Sequence, residues 1–345
     1  MIYAVTCNPA LDWMMRLDAF AAGGINRSFS ESLSMGGKGV NVATMLTNLG
    51  VPVCAWGFIA GDTGRTLEAA LQDRGITTDL IHLPEGLTRI NVKLKTMDDA
   101  SEQARCIQET EINGAGPRVD AAALDTLRAQ VDTLRAGDVL VLSGSLAPGC
   151  PVQLYRELVE RAHGCGALAV VDAAEDLLEA ALDAHPFLIK PNNDELAQLF
   201  DIDGADEASL ERAAVELAGR TRGFVLVSRG AKGAFLASEE GVVGYSVAPR
   251  GALVNSVGAG DSMVAGFLAG WLNATSLHDA EIAAAGDPLA ALTFATAAGS
   301  ATAFCEGIAS GEEVLALVPD VFITPGLSAP GSVQNVASLG RRQRW

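Results

Sequence analysis

Short unbroken apolar runs alternate with segments of helical periodicity along most of this chain. The runs at Tyr3–Thr6, Val53–Phe58, Val139–Leu142, Leu168–Val171, Phe187–Ile189 and Phe224–Val227 predict strands. Between them, apolar residues recur at i, i+3, i+4 and i+7. Val42, Met45, Leu46 and Leu49 do so ahead of Gly50, as do Tyr155, Leu158, Val159 and Ala162, and Val264, Phe267, Leu268 and Trp271. That spacing predicts helices. Strands that are apolar on both faces, alternating with helices, predict a mostly parallel sheet covered on both sides. Ligands of such sheets sit at the carboxyl ends of the strands.

Two segments depart from this pattern. Residues 13–35 and 88–112 alternate polar with apolar, as in Arg89-Ile90-Asn91-Val92-Lys93-Leu94-Lys95. Period-two alternation predicts half-buried strands, here a small sheet standing off the main domain as a lid. One domain is expected over about 1–320. From about Ile323 the chain turns to Pro, Gly and Ser and ends in Arg-Arg-Gln-Arg-Trp, so 321–345 is read as a poorly ordered tail.

Composition narrows the functional classes. The formal net charge of −18 gives no general attraction for nucleic acid or anionic membrane, so neither is expected as a partner. An anionic ligand must then be held by a few local cations and backbone N–H groups. Cys7, Cys54, Cys106, Cys150, Cys165 and Cys305 show no C-x-x-C spacing, and no zinc site is expected. Scattered single cysteines suit a reducing compartment. No basic leader with an apolar core opens the chain, and no apolar run approaches the ~20 residues of a membrane helix, so a cytoplasmic protein is expected.

Two glycine-rich segments carry candidate chemistry. In Val257-Gly258-Ala259-Gly260-Asp261-Ser262, glycines stand just before a strongly periodic helix. Glycine permits close backbone approach, and a helix amino terminus presents N–H groups with partial positive charge. Such a turn can hold a transferring phosphoryl group while Asp261 takes a hydroxyl proton. Alone, this pattern is more often a plain helix start. In Gly36-Gly37-Lys38-Gly39-Val40-Asn41 the same logic recurs, with Lys38 facing an anion and Asn41 able to meet a hydroxyl. The Val257–Ser262 segment is not a Walker A motif, since no GK[ST] follows it.

Other strand ends add candidates. Asp12, in Asn8-Pro9-Ala10-Leu11-Asp12, can bind sugar hydroxyls or simply form a turn. Arg89 suits bidentate phosphate binding, or is a solvated edge charge. In Lys190-Pro191-Asn192-Asn193-Asp194-Glu195, Asn192 and Glu195 can orient Mg²⁺ and its waters, or cap a helix. Ser228, Gly230 and Gly233 begin a hairpin whose glycines can admit a nucleotide, or form an ordinary β-turn.

Over residues 1–320 the chain resembles the PfkB, or ribokinase-like, carbohydrate kinases. The segments Gly-Gly-Lys-Gly-Val-Asn-Val-Ala and Val-Gly-Ala-Gly-Asp-Ser-Met-Val-Ala-Gly resemble the family's two signatures, in family order. NPALD, TRINVKL, SGSLAPG and IKPNNDEL resemble the hexose-phosphate branch, and Lys38 resembles its 1-phosphofructokinases and tagatose-6-phosphate kinases. The resemblance implies a three-layer α/β/α sandwich with a mostly parallel sheet and a β-sheet lid. It implies Asp261 as catalytic base, with Gly258, Ala259 and Gly260 as anion hole. It implies Asp12, Gly37, Lys38 and Asn41 as sugar contacts, and Arg89 and Arg27 as contacts to the sugar phosphate. Lys190, Asn192, Ser228, Gly230 and Gly233 would serve the nucleotide, and Glu195 with Asn192 the metal. The implied activity is ATP- and Mg²⁺-dependent phosphorylation of fructose 1-phosphate, with tagatose 6-phosphate and fructose 6-phosphate as rivals. A non-phosphorylated sugar or nucleoside as acceptor, or a non-catalytic sensor of sugar phosphates, are the other readings. Homodimerisation through the lid is also implied. Two departures stand out: Asp172 precedes Ala-Ala-Glu where relatives have small hydroxyl residues and glycine, and Arg229 stands where leucine is common.

Overall fold

The computed structural model describes residues 1–97, 106–173, 175–273 and 285–326. Its strands are β1 (Ile2–Thr6), β2 (Ala10–Leu17), β3 (Ser30–Gly36), β4 (Val53–Ala60), β5 (Thr77–Leu83), β6 (Arg89–Met97), β7 (Cys106–Asn113), β8 (Val139–Ser143), β9 (Leu168–Asp172), β10 (Leu188–Ile189), β11 (Phe224–Ser228), β12 (Ala234–Ser238), β13 (Gly241–Val247) and β14 (Phe322–Pro325). Its helices are α1 (Lys38–Asn48), α2 (Gly61–Asp73), α3 (Ala121–Val131), α4 (Leu154–Gly164), α5 (Glu175–Leu182), α6 (Asn193–Phe200), α7 (Glu207–Ala218), α8 (Ala259–Leu272), α9 (Pro288–Ala303) and α10 (Gly311–Leu317).

Ten strands form one sheet in the order β14-β13-β12-β11-β10-β9-β8-β1-β4-β5. From β11 across to β5 every neighbouring pair is parallel, and β12, β13 and β14 add an antiparallel edge. Successive side chains of a strand point to opposite faces. In β8, Val139 and Val141 enter the core under α1, α2, α8 and α9, while Leu140 and Leu142 enter the core under α3, α4, α6 and α7. Burial on both faces explains why these strands read as unbroken apolar runs. The arrangement is the three-layer α/β/α sandwich. No described helix is long and apolar enough to cross a membrane.

A second, four-stranded sheet has the order β3-β2-β6-β7. It is the lid expected from the alternating segments, with corrected limits. The strand pattern does not run through 13–35: β2 begins at Ala10, and residues 18–29 connect it to β3. Asp12 is therefore no turn residue. It sits within β2, where Leu11, Trp13, Met15 and Leu17 alternate with Asp12, Met14 and Arg16. The register then sorts the two faces. Leu33, Trp13, Val92 and Ile112 lie in one apolar row across all four strands, and Ser34, Asp12, Asn91 and Asn113 lie in the polar row beside it. Trp13, Leu33 and Ile112 are exposed on their row.

Two further expectations change. Thr77–Leu83 is an edge strand beside β4, although its polar and apolar residues suggested none. Part of the segment read as tail is ordered, because Phe322–Pro325 pairs with β13 as the opposite edge. Residues 327–345 lie outside the described residues.

Candidate active site

Two helix starts meet at the centre of the sheet. The chain leaves β3 through Gly37 at φ 118°, caps α1 there, and presents Lys38 and Asn41 from the first turn. A β-carbon at Gly37 would stand 2.9 Å from Thr6 Cγ2, so the turn needs glycine for space as well as for its positive φ. The amino end of α8 is built alike. Gly258 caps it at φ 81°, and a β-carbon there would stand 2.5 Å from Ile308 Cδ1. The Ala259 N–H already donates to the Ser256 carbonyl at 3.2 Å, and the other first-turn N–H groups of α8 have no acceptor within the helix and bring partial positive charge to the cleft. Behind the turn, the Ser262 hydroxyl lies 2.8 Å from that of Thr302 and ties α8 to α9.

Asn41 links the two starts by donating from Nδ2 to Asp261 Oδ2 at 2.7 Å. Asp261 is only 6% exposed. Burial pushes its carboxyl up to about 6, and the negative charge of Asp172 adds to that rise. The bond from Asn41 and the ammonium groups of Lys38 and Lys190 pull the other way. A carboxylate with an affinity for protons near neutrality is suited to general-base work.

Around Asp261 lies one cleft of about 1560 Å³. It is lined by Gly37, Lys38 and Asn41 from α1, and by Gly258, Ala259, Gly260 and Asp261 from α8. The lid contributes Asp12 and Arg89. The segment after β10 contributes Lys190, Asn192 and Glu195, and the hairpin after β11 contributes Ser228, Gly230 and Gly233. Sites spread from residue 12 to residue 261 thus share one cavity, at the strand ends where a parallel sheet binds ligands.

The lid residues are held firmly. Asp12 accepts from Asn91 Nδ2 at 2.9 Å through Oδ1, and pairs with Lys93 Nζ at 3.1 Å through Oδ2. Lys93 is itself buried and lies 3.7 Å from Glu111. Arg89 donates from Nε to the Asn8 carbonyl at 3.0 Å, which fixes the guanidinium at the cleft wall. Burial pulls the Arg89 guanidinium down from its ordinary range, and Asp12 offsets part of that.

Some expected roles shift. Asn192 and Glu195 form a reciprocal helix cap: Asn192 Oδ1 accepts from the Glu195 N–H, and Glu195 Oε2 accepts from the Asn192 N–H, each at 2.8 Å. The capping alternative is thus realised, and it aims both residues at the cleft. Arg27 does not reach this cleft. It is exposed on the connection between β2 and β3, beside a separate hollow with Met15, Leu17 and Phe20. Among the described residues no three His, Cys, Asp or Glu side chains converge as a metal site.

In the sequence, Asp172 stands out only for the Ala-Ala-Glu after it. The structure places it at the end of β9, 2% exposed, with Lys38 Nζ at 3.1 Å and Lys190 Nζ at 3.7 Å from Oδ1. Burial pushes the Asp172 carboxyl up, but Lys190 and Lys38 outweigh it and hold it below the usual carboxylate range. Desolvation pulls Lys38 down, and the carboxylates of Asp172 and Asp261 more than offset it. The signal that could have found Asp172 is a charged residue directly ending an apolar strand.

Comparison with known proteins agrees with this geometry. The family model described as "pfkB family carbohydrate kinase" matches residues 7–314. A 1-phosphofructokinase of Bacillus subtilis is 37% identical over 327 residues, covering 94% of this chain and 99% of the relative. A D-tagatose-1-phosphate kinase of Bacillus licheniformis is 33% identical over 309 residues, covering 89% and 94%. The crystal structure of Escherichia coli phosphofructokinase-2 in complex with fructose-6-phosphate superposes with a TM-score of 0.79 at 27% identity, covering 92% of this chain and 98% of that one. With the family model spanning nearly all of the described fold and both signatures meeting at Asp261, the chain belongs to the pfkB family of carbohydrate kinases.

Proposed function

We propose that this protein transfers the γ-phosphoryl group of ATP to a hydroxyl of a ketohexose phosphate, with fructose 1-phosphate as the preferred acceptor and fructose 1,6-bisphosphate as product. The observation that carries this reading is the cleft itself. One wall holds a buried carboxylate against a helix amino terminus, and the same cavity holds Lys38 and Arg89, which suit an acceptor that already bears a phosphate. Lys38 also faces the transferred group, so the cation that separates a phosphorylated acceptor from a neutral one is Arg89. The names of the Bacillus relatives both refer to 1-phosphates, which favours fructose 1-phosphate over the 6-phosphates.

In this mechanism the lid residues Asp12 and Arg89 bind the acceptor and place one hydroxyl beside Asp261. Asp261 takes the hydroxyl proton as the oxygen attacks the γ-phosphorus in line, and the bond to the bridging oxygen breaks to release ADP. The α8 amides, Lys38 and Lys190 stabilise the charge on the transferred group. The nucleotide occupies the part of the cleft bordered by Ser228, Gly230 and Gly233. Lid closure excludes water and limits wasteful ATP hydrolysis.

The donor set suits Mg²⁺ arriving on ATP. Glu195 Oε1 remains free after capping and Asn192 Oδ1 keeps one lone pair, few oxygen ligands for a cation that keeps its waters and takes phosphate oxygens. When bound, Mg²⁺ would neutralise phosphate charge. The outer apolar row of the lid supports pairing of two copies through that face, since burying Trp13, Leu33 and Ile112 would remove exposed apolar surface from water.

The test is ADP release from purified protein with MgATP and a panel of fructose 1-phosphate, fructose 6-phosphate, tagatose 1- and 6-phosphates and fructose. ³¹P NMR locates the new phosphate. Highest kcat/KM on fructose 1-phosphate is expected. Preference for free fructose would overturn the assignment of the cations, and no turnover of any acceptor would favour a sugar-phosphate sensor.

A further inference from the structure

We infer that Asp172 is a positioning residue, a buried anchor that holds Lys38 and Lys190 together against the anion-binding turn at the start of α8. This rests on the phosphoryl-transfer reading above and assigns a role to a residue that the reading does not use.

Several elements converge on this carboxylate. Lys38 comes from the start of α1 and Lys190 from the residue after β10. Both ammonium groups approach the same oxygen, Oδ1, at 3.1 and 3.7 Å. Lys190 is buried, and it passes directly under α8: a β-carbon at Gly260 would stand 3.1 Å from Lys190 Nζ. Gly260 therefore leaves the space through which Lys190 faces the turn. On the α1 side, Gly144 packs beside the Lys38 side chain, with an ideal β-carbon 3.6 Å from Lys38 Cβ.

Among the described residues the carboxylate has no other partner that would explain its burial. Asp172 Oδ2 is buried and accepts no hydrogen bond from them. Asp172 lies in register with Ser143 on β8, whose hydroxyl is likewise without a partner there. A buried carboxylate costs much free energy unless it is compensated. Here the compensation comes from two lysines that both border the phosphoryl path. Two ammonium groups so close would otherwise repel and turn away to water. With Asp172 between them, they stay facing the cleft. When an anionic ligand draws one lysine away, the other still compensates the carboxylate.

The test is a double-mutant cycle with Asp172→Asn and Lys38→Met. If Asp172 acts through Lys38, Asp172→Asn lowers kcat on the sugar phosphate about 100-fold, with the KM for ATP changed less than threefold. The double variant then falls within about threefold of the worse single one, whereas independent roles multiply. Asp172→Glu, which keeps the charge, recovers at least tenfold of the loss. Multiplicative losses, or equal losses in Glu and Asn variants, overturn the inference. A measurement without substrate separates this from the assigned reaction. The ¹³C signal of the Asp172 carboxyl in ligand-free protein is titrated with and without Lys38→Met. Removal of Lys38 is expected to raise the Asp172 midpoint, and an unchanged midpoint overturns the inference even where Asp172 variants do not fold. If wild-type protein phosphorylates no acceptor while the midpoint still moves, the assigned reaction fails and the anchor stands.

Discussion

Asn41 Nδ2 donates to Asp261 Oδ2 at 2.7 Å, joining helix starts that are 220 residues apart in the chain. The bond orients the carboxylate and stabilises its ionised form, against the opposing effects of burial and of Asp172. Asn41→Ala should therefore raise the proton affinity of Asp261. The acid limb of kcat/KM is expected to move to higher pH. A pH–rate profile of the variant with its limb at or below that of the wild type would count against this pairing.

The wild-type profile depends on the same carboxylate. Asp261 must be ionised to accept a proton, and its carboxyl is pushed up to about 6. Below that pH, kcat/KM should fall roughly tenfold per pH unit. A profile flat down to pH 5 would exclude Asp261 as the titrating base.

Asp261→Asn should separate activity from stability. Turnover is expected to drop by about three orders of magnitude or more, since general-base contributions run to roughly 10²–10⁴. Stability should rise. Asp261 has a folded value of about 6, above the ordinary aspartate value of 3.8, so its favourable contribution is complete below about pH 4 and is lost as pH rises through about 6. At pH 8 the ionised carboxylate costs about 2–3 kcal/mol, which the amide avoids. Urea unfolding at pH 8 and at pH 4 measures this. A variant less stable than wild type at pH 8 would contradict the electrostatic argument.

Arg89→Ala should weaken sugar-phosphate binding selectively. Loss of a charge-assisted contact of about 1.5–3 kcal/mol corresponds to roughly a 10- to 150-fold higher KM for the acceptor. The KM for ATP should change less than twofold. Equal effects on both substrates would place Arg89 outside the acceptor site. Arg89→Lys should recover only part of the loss, because an ammonium cannot bind phosphate bidentately.

Lys93→Met tests the frame beneath Asp12. Lys93 is buried between Asp12 at 3.1 Å and Glu111 at 3.7 Å. Its removal leaves two carboxylates without their cation and should cost about 3 kcal/mol in urea unfolding. A cost below about 1 kcal/mol would mean that the pair is solvated.

The central strands and the helices that open at Gly37 and Gly258 were legible because their causes are local. A strand buried on both faces must be apolar throughout, and a helix covering it must repeat its apolar residues every three or four positions. Where one face is open the signal weakens. Thr77–Leu83 and Phe322–Pro325 are edge strands, and neither carries an unbroken apolar run. Asp12 resembles a turn residue because Asn8 and Pro9 precede it, yet pairing with β3 and β6 on either side holds it in a strand. Asn192 and Glu195 fit a capping box or a metal site equally well by spacing, and only their side-chain geometry shows that the cap is formed.

By itself the sequence determined the alternation of strands and helices, the two glycine turns that open helices, and the acidic balance that leaves anion binding to a few groups. These depend on neighbours within one turn or one strand. Tertiary structure alone decided which charges meet. It set Lys38 and Lys190 around Asp172, bonded Asn41 to Asp261, and left Arg27 outside the cleft. Most of these contacts join segments far apart in the chain, and the rest depend on how the lid lies over the sheet. A buried charge is tolerated only where a distant partner arrives to compensate it, and that arrival is a property of the assembled sheet.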